Sequence, residues 1–255
     1  MVRNLLVFIS LLWLYACDGN VKYSETEGLV STRAIKTDVS SIFDSVTNPK
    51  VWRTFQSLEE MQEACQVPNE ILKKMSTDEL IQVCMDYPLY GNYLVYNNEL
   101  DGIKVVMNHF NAFVELRQRR DAADRLISYY EKIDIGNIAE KAMTCSFVDS
   151  GFSILHLGYL ELILCSEFIP NVYSNSNISR LGKIQYEKYE EKLRYPNVYS
   201  IQTIKKSLLL GAQIKLESGT LDNGNSLFLS KFVERGGAVE VLEDYTKVSR
   251  IINNE

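Results

Sequence analysis

Only two histidines, His109 and His156, occur among the 255 residues of this chain. Both stand at helical spacing from aromatic and aliphatic residues, so we expect hydrogen-bonded histidines at the edge of an apolar core. A cysteine–histidine nucleophilic pair would need a cysteine close to His156. Cys165 on the same predicted helix lies about 14 Å further along, which is too far for such a pair.

Several motifs of catalytic, metal-binding and nucleotide-binding sites are absent from the chain. The sequence contains no Gly-x-Ser-x-Gly, no His-Glu-x-x-His, no phosphate-binding loop and no Cys-x-x-Cys. Two carboxylate clusters, at residues 59–63 and 187–191, lack the apolar surroundings that raise a catalytic pKa, and each is typical of a solvated helix face. The sequence therefore predicts no catalytic residue, no metal ligand and no cofactor.

A cluster of basic residues is also absent. The 27 lysines and arginines face 33 acidic residues, which gives a net charge of −6. Nucleic acids and anionic lipid surfaces attract basic patches, so this composition argues against nucleic-acid binding and against electrostatic docking on a membrane.

The chain has no long hydrophobic run after its N-terminus. The apolar run from Leu5 to Leu14 follows the positive charge of Arg3. A helix of that length spans about 15 Å, roughly half of a bilayer core, so it is too short for a transmembrane anchor. Its position and charge predict an export signal.

The run closes with Leu14-Tyr15-Ala16-Cys17. This segment resembles the lipobox of bacterial lipoproteins of the Bacteroidetes type, although Tyr15 is bulkier than the residue most common there. The resemblance implies that residues 1–16 are removed and that Cys17 carries the lipid. Several acyl chains on one residue anchor a domain firmly. The chain would then be an outer-membrane lipoprotein on the cell surface or the periplasmic face; the alternative is an ordinary signal peptide with an incidental cysteine.

Residues 17–48 are rich in Ser, Thr and acidic residues and carry no sustained helical stripe. We expect a tether there and a helical domain from residue 49 to 255. Asp44-Ser45-Val46 resembles the O-glycosylation site of exported Bacteroidetes proteins. A plain loop serine at Ser45 is the alternative.

The region from Ser76 to Ile133 predicts three amphipathic helices with short joints. Ser76 and Glu79 form a capping box, and Asn98 can cap the second helix. The apolar stripe from Ile103 to Val114 follows one helix face. Similar patterns continue to the C-terminus, so we expect an all-α fold, either an irregular multi-helix bundle or a solenoid-like stack of short antiparallel helices.

Residues 51–130, including the segments at 110–116 and 120–122, resemble a group of exported, all-helical Bacteroidetes proteins. The resemblance covers about a third of the chain. It implies export and a helical fold, and it implies no activity and no catalytic residue.

Four further cysteines, Cys65, Cys84, Cys145 and Cys165, lie beside apolar helical positions. We expect buried free thiols. Because an exported protein with an even number of cysteines can form disulfides, two disulfides are the alternative.

Four tyrosines recur every three residues, at Tyr87, Tyr90, Tyr93 and Tyr96. Aromatic faces suit a binding surface for a glycan or peptide; the alternative is that the rings fill the joint between two helices. The leading hypothesis is a non-enzymatic interaction or ligand-binding module whose partner is a glycan, a peptide or another envelope protein. The competing hypothesis is an envelope hydrolase with a cleft around His109 or His156.

Overall fold

The computed structural model describes residues 41–144 and 147–253; for residues 147–152 it describes the helix but not the side chains. All regular structure in these ranges is helical, which confirms the predicted all-α fold. There are fourteen described α-helices and one 3-10 helix. In chain order they are α1 (Asp44–Thr47), α2 (Pro49–Trp52), α3 (Leu58–Ala64), α4 (Asn69–Leu72), α5 (Thr77–Met85), the 3-10 helix (Tyr90–Val95), α6 (Glu99–His109), α7 (Asn111–Leu116), α8 (Ala122–Glu131), α9 (Ile135–Thr144), α10 (Phe147–Cys165), α11 (Asn175–Leu193), α12 (Ile201–Ser218), α13 (Asn223–Glu234) and α14 (Glu243–Asn253).

Helix α12 is the centre of the arrangement. It packs against α10, α11, α13 and α14, and every residue from 206 to 214 is buried. A helix that is covered on all sides lies inside the fold rather than on its surface. Because four helices surround one, the described fold is an irregular bundle and not a stack in which each helix touches only its neighbours.

The apolar core is one continuous cluster, and the C-terminal half of α10 contributes seven residues to it: Leu157, Tyr159, Leu160, Leu162, Ile163, Leu164 and Cys165. The cluster also contains Phe43 and Val46, which lie in the segment predicted as tether. The Phe43 ring packs 6.1 Å from the ring of Phe110. The described helices therefore include α1, which lies before the predicted domain boundary at residue 49.

The capping box that begins α5 is confirmed. The Ser76 hydroxyl accepts from the Glu79 amide at 3.2 Å, and the Glu79 carboxylate accepts from the Ser76 amide at 2.8 Å. Asn98 caps α6 in the same way, because its side chain accepts from the Leu100 amide at 3.0 Å. These two helix starts follow from local sequence alone.

The prediction of one continuous helix through residues 103–114 was wrong, because the helix breaks at Phe110. Phe110 is extended, with φ −104° and ψ 115°. The Gln66 side chain takes over the main-chain hydrogen bonds at the break: its Nε2 donates to the His109 carbonyl and its Oε1 accepts from the Asn111 amide, both at 3.0 Å. A glutamine distant in sequence thus replaces two helical bonds, and α7 leaves in a new direction.

Helix α6 packs closely on the 3-10 helix through Gly102. A Cβ at this position would lie 2.6 Å from the Tyr93 carbonyl oxygen and 2.9 Å from the Tyr93 Cα. Main-chain atoms cannot give way as a flexible side chain does. Glycine is therefore required here by the close approach of two backbones.

Among the described helices, none is long and apolar enough to cross a membrane.

We predict that Gly102→Ala lowers the free energy of unfolding by about 1–3 kcal/mol, because the added methyl group overpacks the contact with Tyr93. Gly182→Ala in α11 is the matched control, since a Cβ there meets only Ile214 Cγ2, at 3.4 Å. In that open helical position alanine should stabilise the protein by up to about 1 kcal/mol. Urea denaturation followed by circular dichroism measures both, and equal effects of the two substitutions would contradict the account.

Candidate functional site

Three of the four regularly spaced tyrosines lie in the core. Tyr87, Tyr90 and Tyr93 are buried, and Tyr96 is 39% exposed. Burial raises the pKa of each of the three buried phenols above its ordinary value, so they stay neutral. The prediction that the four rings form a ligand-binding surface is therefore wrong for three of them.

The buried tyrosines fill the joint between helices, which was the alternative. Tyr87 stacks on Phe110 with ring centroids 4.1 Å apart, and Tyr90 stacks on His156 at 4.4 Å. Tyr93 lies parallel to Tyr159 at 6.0 Å. Tyr90 and Tyr93 lie in the 3-10 helix, whose three residues per turn bring these two side chains to one face; Tyr87 precedes this helix.

The histidines differ from the prediction in one case. His156 is half-buried against Tyr90, at the edge of the core as expected. His109 is exposed rather than in the core, because the break at Phe110 places it at the end of α6. Its Nδ1 lies 2.8 Å from the Val105 carbonyl, so this nitrogen carries the proton and Nε2 is directed elsewhere.

His109 lines a small polar cleft of about 230 Å³. Glutamine and asparagine amides make up most of the lining. Two of these amides hold the main chain: Gln66 holds the helix break, and Asn111 bonds the Val67 amide and carbonyl at 3.1 and 2.7 Å. Glu115 is bound to Arg119 at 2.9 Å. The described lining offers hydrogen bonds but no serine, cysteine or threonine nucleophile beside His109.

Three cysteines are buried free thiols, as predicted: Cys65, Cys84 and Cys165. Burial raises the pKa of Cys65 and of Cys165 to about 12, so both stay protonated and unreactive. Cys145, like the lipidation candidate Cys17, lies outside the described residues. Ser45 is exposed on α1, so the O-glycosylation prediction remains open there.

A fully buried ionic network joins four helices. Lys192 of α11 and Glu161 of α10 form an ion pair at 2.7 Å, with both side chains 0% exposed. Ser207 of α12 donates to Glu161 Oε1 at 2.8 Å, and Tyr130 of α8 donates to the same oxygen at 2.9 Å. Neither the lysine nor the glutamate was singled out from the sequence.

Each polar group of this network has a partner. Lys192 donates to both oxygens of Glu161 and, at 2.7 Å, to Ser207 Oγ, which uses all three protons of an ammonium group. Burial lowers the pKa of Lys192, and the adjacent Glu161 charge and hydrogen bonds oppose that effect. A buried pair tolerates its desolvation only when the remaining lone pairs and protons are satisfied, as they are here.

The Lys192–Ser207 contact has the residue types of a serine–lysine catalytic dyad but not its geometry. In such a dyad the lysine accepts the serine proton. Here the serine proton goes to Glu161 and the lysine donates to the serine oxygen. Because these side chains are sealed from solvent, a substrate cannot reach them.

A second ionic cluster lies beside the first on α12. Lys206 contacts Glu99 Oε2 at 3.0 Å, and Lys205 contacts the same oxygen at 3.6 Å. The Tyr93 hydroxyl is buried nearby without a hydrogen-bond partner among the described residues, and the Glu99 charge adds to the burial that raises its pKa. This cluster ties the start of α6 to α12.

A second cavity, larger than the cleft at His109, is an open groove of about 440 Å³ between α11, α12 and α14. Its floor is mainly apolar, with Ile178, Ile214 and Ile252 from the three helices. Gly182 and Gly211 also line it: a Cβ at Gly182 would meet only Ile214, whereas Gln185 and Ile252 already lie against Gly211. Further lining residues are polar or charged: Ser179, Lys183, Gln185, Lys215, Ser218, Thr220 and Asn253, with Tyr186 at the edge. A concave apolar surface with a few polar groups is the usual form of a small-molecule site.

The sequence did not reveal this groove, because its lining comes from three helices, and residues such as Ile178, Ile214 and Ile252 lie far apart in the chain. In the described part of the chain, no group of three or more histidine, cysteine or acidic side chains is placed to hold a metal ion. Comparison with protein-family models, with curated proteins and with solved structures gives no match to this chain.

We predict that Lys192→Met lowers the free energy of unfolding by about 3–5 kcal/mol, because it leaves the Glu161 carboxylate charged in the core. The double variant Lys192→Met with Glu161→Gln removes both charges and keeps an acceptor oxygen for Ser207 and Tyr130. It should be more stable than the single variant by at least about 1 kcal/mol. Denaturant titrations of the wild type, both single variants and the double variant form the cycle; strictly additive effects would contradict a coupled pair.

Proposed function

We propose that this protein is a lipid-anchored envelope protein that binds a small, mainly apolar ligand without chemical conversion, in the groove between α11, α12 and α14. The observation that carries the proposal is the groove itself. Its volume of about 440 Å³ falls within the usual range of ligand sites, and its apolar floor would be covered by an occupant.

The arrangement of ionisable groups supports binding rather than catalysis. Lys192, Glu161 and Ser207 bind one another inside the bundle. The described residues that line the groove include two serines and two lysines but no histidine, cysteine or carboxylate to activate a nucleophile. Such a lining can hold and orient a ligand.

The anchoring part of the proposal is supported by the sequence from Arg3 to Cys17. A lipid on Cys17 would attach the bundle to the outer membrane, on the cell surface or the periplasmic face, with residues between the anchor and α1 as the tether. The membrane is then the first partner, and a glycan, peptide or envelope protein remains a candidate second partner.

A hydrolase is the second candidate, and one observation favours it: His109 is exposed in a polar cleft. A hydrolase of this kind would activate a water molecule through His109 Nε2, since Nδ1 faces the Val105 carbonyl. The smaller volume and the structural use of Gln66 and Asn111 make this cleft the weaker candidate.

We predict that Cys17→Ser moves the protein from the membrane fraction to the soluble fraction, because it removes the thiol that carries the lipid. Fractionation of cells with immunodetection measures the change, and Cys65→Ser, which alters a buried thiol, is the control that stays in the membrane. A Cys17→Ser protein that remained in the membrane fraction would refute lipid anchoring.

We also predict that the full chain with Cys17→Ser, in detergent-free buffer, binds the neutral dye Nile red, since the dye fluoresces when it leaves water for an apolar site. Adding Gly182→Phe fills the groove and should reduce the fluorescence gain at least about tenfold. Gly182→Ala is the control and should bind as the parent does.

The proposed function fails if Nile red shows no fluorescence gain with the parent, or if Gly182→Phe binds the dye unchanged while its circular dichroism matches that of the parent. The first result would mean that the chain has no accessible apolar site. The second would place the site outside the groove.

A further inference from the structure

The cleft at His109 is lined mainly by side-chain amides. Five of the nine described residues that line it are asparagine or glutamine: Gln66, Asn69, Asn108, Asn111 and Gln118. The amides of Gln66 and Asn111 are bound to the main chain around the helix break. The other three residues are exposed, and their side-chain amides make no hydrogen bond within the described part of the chain. The cleft therefore has three amides available to a ligand.

The cleft carries no uncompensated carboxylate. Glu115 is the one acidic residue of the described lining, which contains no lysine or arginine, and Arg119 binds Glu115 at 2.9 Å. Arg119 also donates to the carbonyls of Leu72 and Met75 at 3.0 and 3.1 Å, so its guanidinium group is held in place. A charged ligand would lose hydration in this cleft and would gain no opposite charge in return. The lining therefore suits a neutral ligand.

The available polar groups of the cleft both donate and accept hydrogen bonds. Each amide offers two N–H donors and a carbonyl acceptor. His109 adds an acceptor, because its Nδ1 donates to the Val105 carbonyl and its Nε2 carries no proton. A hydroxyl group likewise donates and accepts. A ligand with several hydroxyl groups is therefore complementary to this lining, whereas a ligand that only accepts or only donates would leave part of it unmatched.

Two aliphatic residues complete the lining and favour a ring over an extended chain. Val114 is 42% exposed and Leu72 is buried, so the cleft offers a small apolar area beside its amides. The C–H groups of a sugar ring can cover such an area while the hydroxyl groups meet the amides. A volume of about 230 Å³ suits one compact unit. Extended peptides usually pair with a strand edge, and all described regular structure here is helical.

From this lining we infer that the cleft at His109 binds a neutral sugar unit, with the ring hydroxyls on the three available amides and on His109 Nε2. The cleft binds the sugar without chemical conversion. This inference goes beyond the proposed function, because it assigns a second ligand class to a site separate from the groove between α11, α12 and α14.

NMR titration of the isotope-labelled full chain with Cys17→Ser tests the inference, with the methyl glycosides of glucose, galactose and mannose as probes. We expect at least one glycoside to bind with a Kd of about 1–10 mM, since so small a ligand gains little after it loses its translational freedom. Binding should shift the side-chain amide signal that Asn108→Ala removes from the spectrum. Cyclohexanemethanol, which has a ring and a single hydroxyl, should not shift this signal, because it leaves the amides unmatched. The matching methyl uronide, which adds a carboxylate, should bind at least about threefold more weakly than the neutral glycoside.

Asn108→Ala should weaken binding of the glycoside about threefold, and the double variant Asn108→Ala with His109→Ala at least about tenfold, because each loses hydrogen bonds to the sugar. Asn137→Ala is the matched control, since Asn137 is also an exposed helical asparagine but lies on α9, outside the lining. Its effect should be less than about twofold. Gly182→Phe, which fills the groove, should leave the sugar affinity unchanged, and circular dichroism of each variant shows whether the bundle is intact.

Failure of all three glycosides to bind would overturn the inference, and so would equal affinities of the Asn108→Ala and Asn137→Ala variants. Loss of sugar binding in a folded Gly182→Phe variant would place the sugar in the groove instead. Tighter binding of N-acetylalanine methylamide, a model of one peptide unit, than of any glycoside would assign the cleft to peptides. Each of these results leaves the binding of Nile red in the groove unaffected, so the inference and the proposed function can fail separately.

Discussion

The ion pair between Lys192 and Glu161 is the interaction on which the bundle depends. A lysine and a glutamate with no solvent contact destabilise a fold unless they find each other and every remaining proton and lone pair is used. Ser207 and Tyr130 supply the missing partners. Because the four residues come from α8, α10, α11 and α12, only one relative placement of these helices satisfies them together.

The same placement creates the groove. The Gln185 side chain of α11 donates to the Ser207 carbonyl at 2.8 Å. The carbonyl and the hydroxyl of Ser207 are therefore both hydrogen-bonded to residues of α11. With this register fixed, Gly182 lies opposite Ile214, and Gly211 lies against Gln185 and Ile252. A slip of one turn would separate Lys192 from Glu161 and would also place larger side chains where Gly211 now allows Gln185 and Ile252 to approach closely.

Much of the helix content could be predicted from local sequence, and the failures have identifiable causes. Caps such as Ser76 and Asn98 act within three residues, and both helix starts were predicted correctly. The break at Phe110 depends on Gln66, more than forty residues away, and no local pattern contains that information. Tertiary hydrogen bonds overrode a strong amphipathic stripe there.

The candidate site was harder to predict than the fold. Lys192 lies in a helix with many charged residues, where a lysine usually faces solvent, and its burial depends on Glu161 of another helix. The tyrosines at every third position gave the opposite error: a binding surface was predicted, and three of the rings are buried. Aromatic rings suit both a binding surface and a core. The choice between the two depended on Gly102, which lets α6 approach Tyr93 and close the joint.

The most direct test of the account is a crystal structure of the chain with the neutral, mainly apolar probe 12-bromododecan-1-ol, in which anomalous scattering locates the bromine. The account predicts one bromine peak in the groove between α11, α12 and α14, over the isoleucine floor. A bromine peak in the cleft at His109, with the groove empty, would contradict the account and make the histidine cleft the functional site.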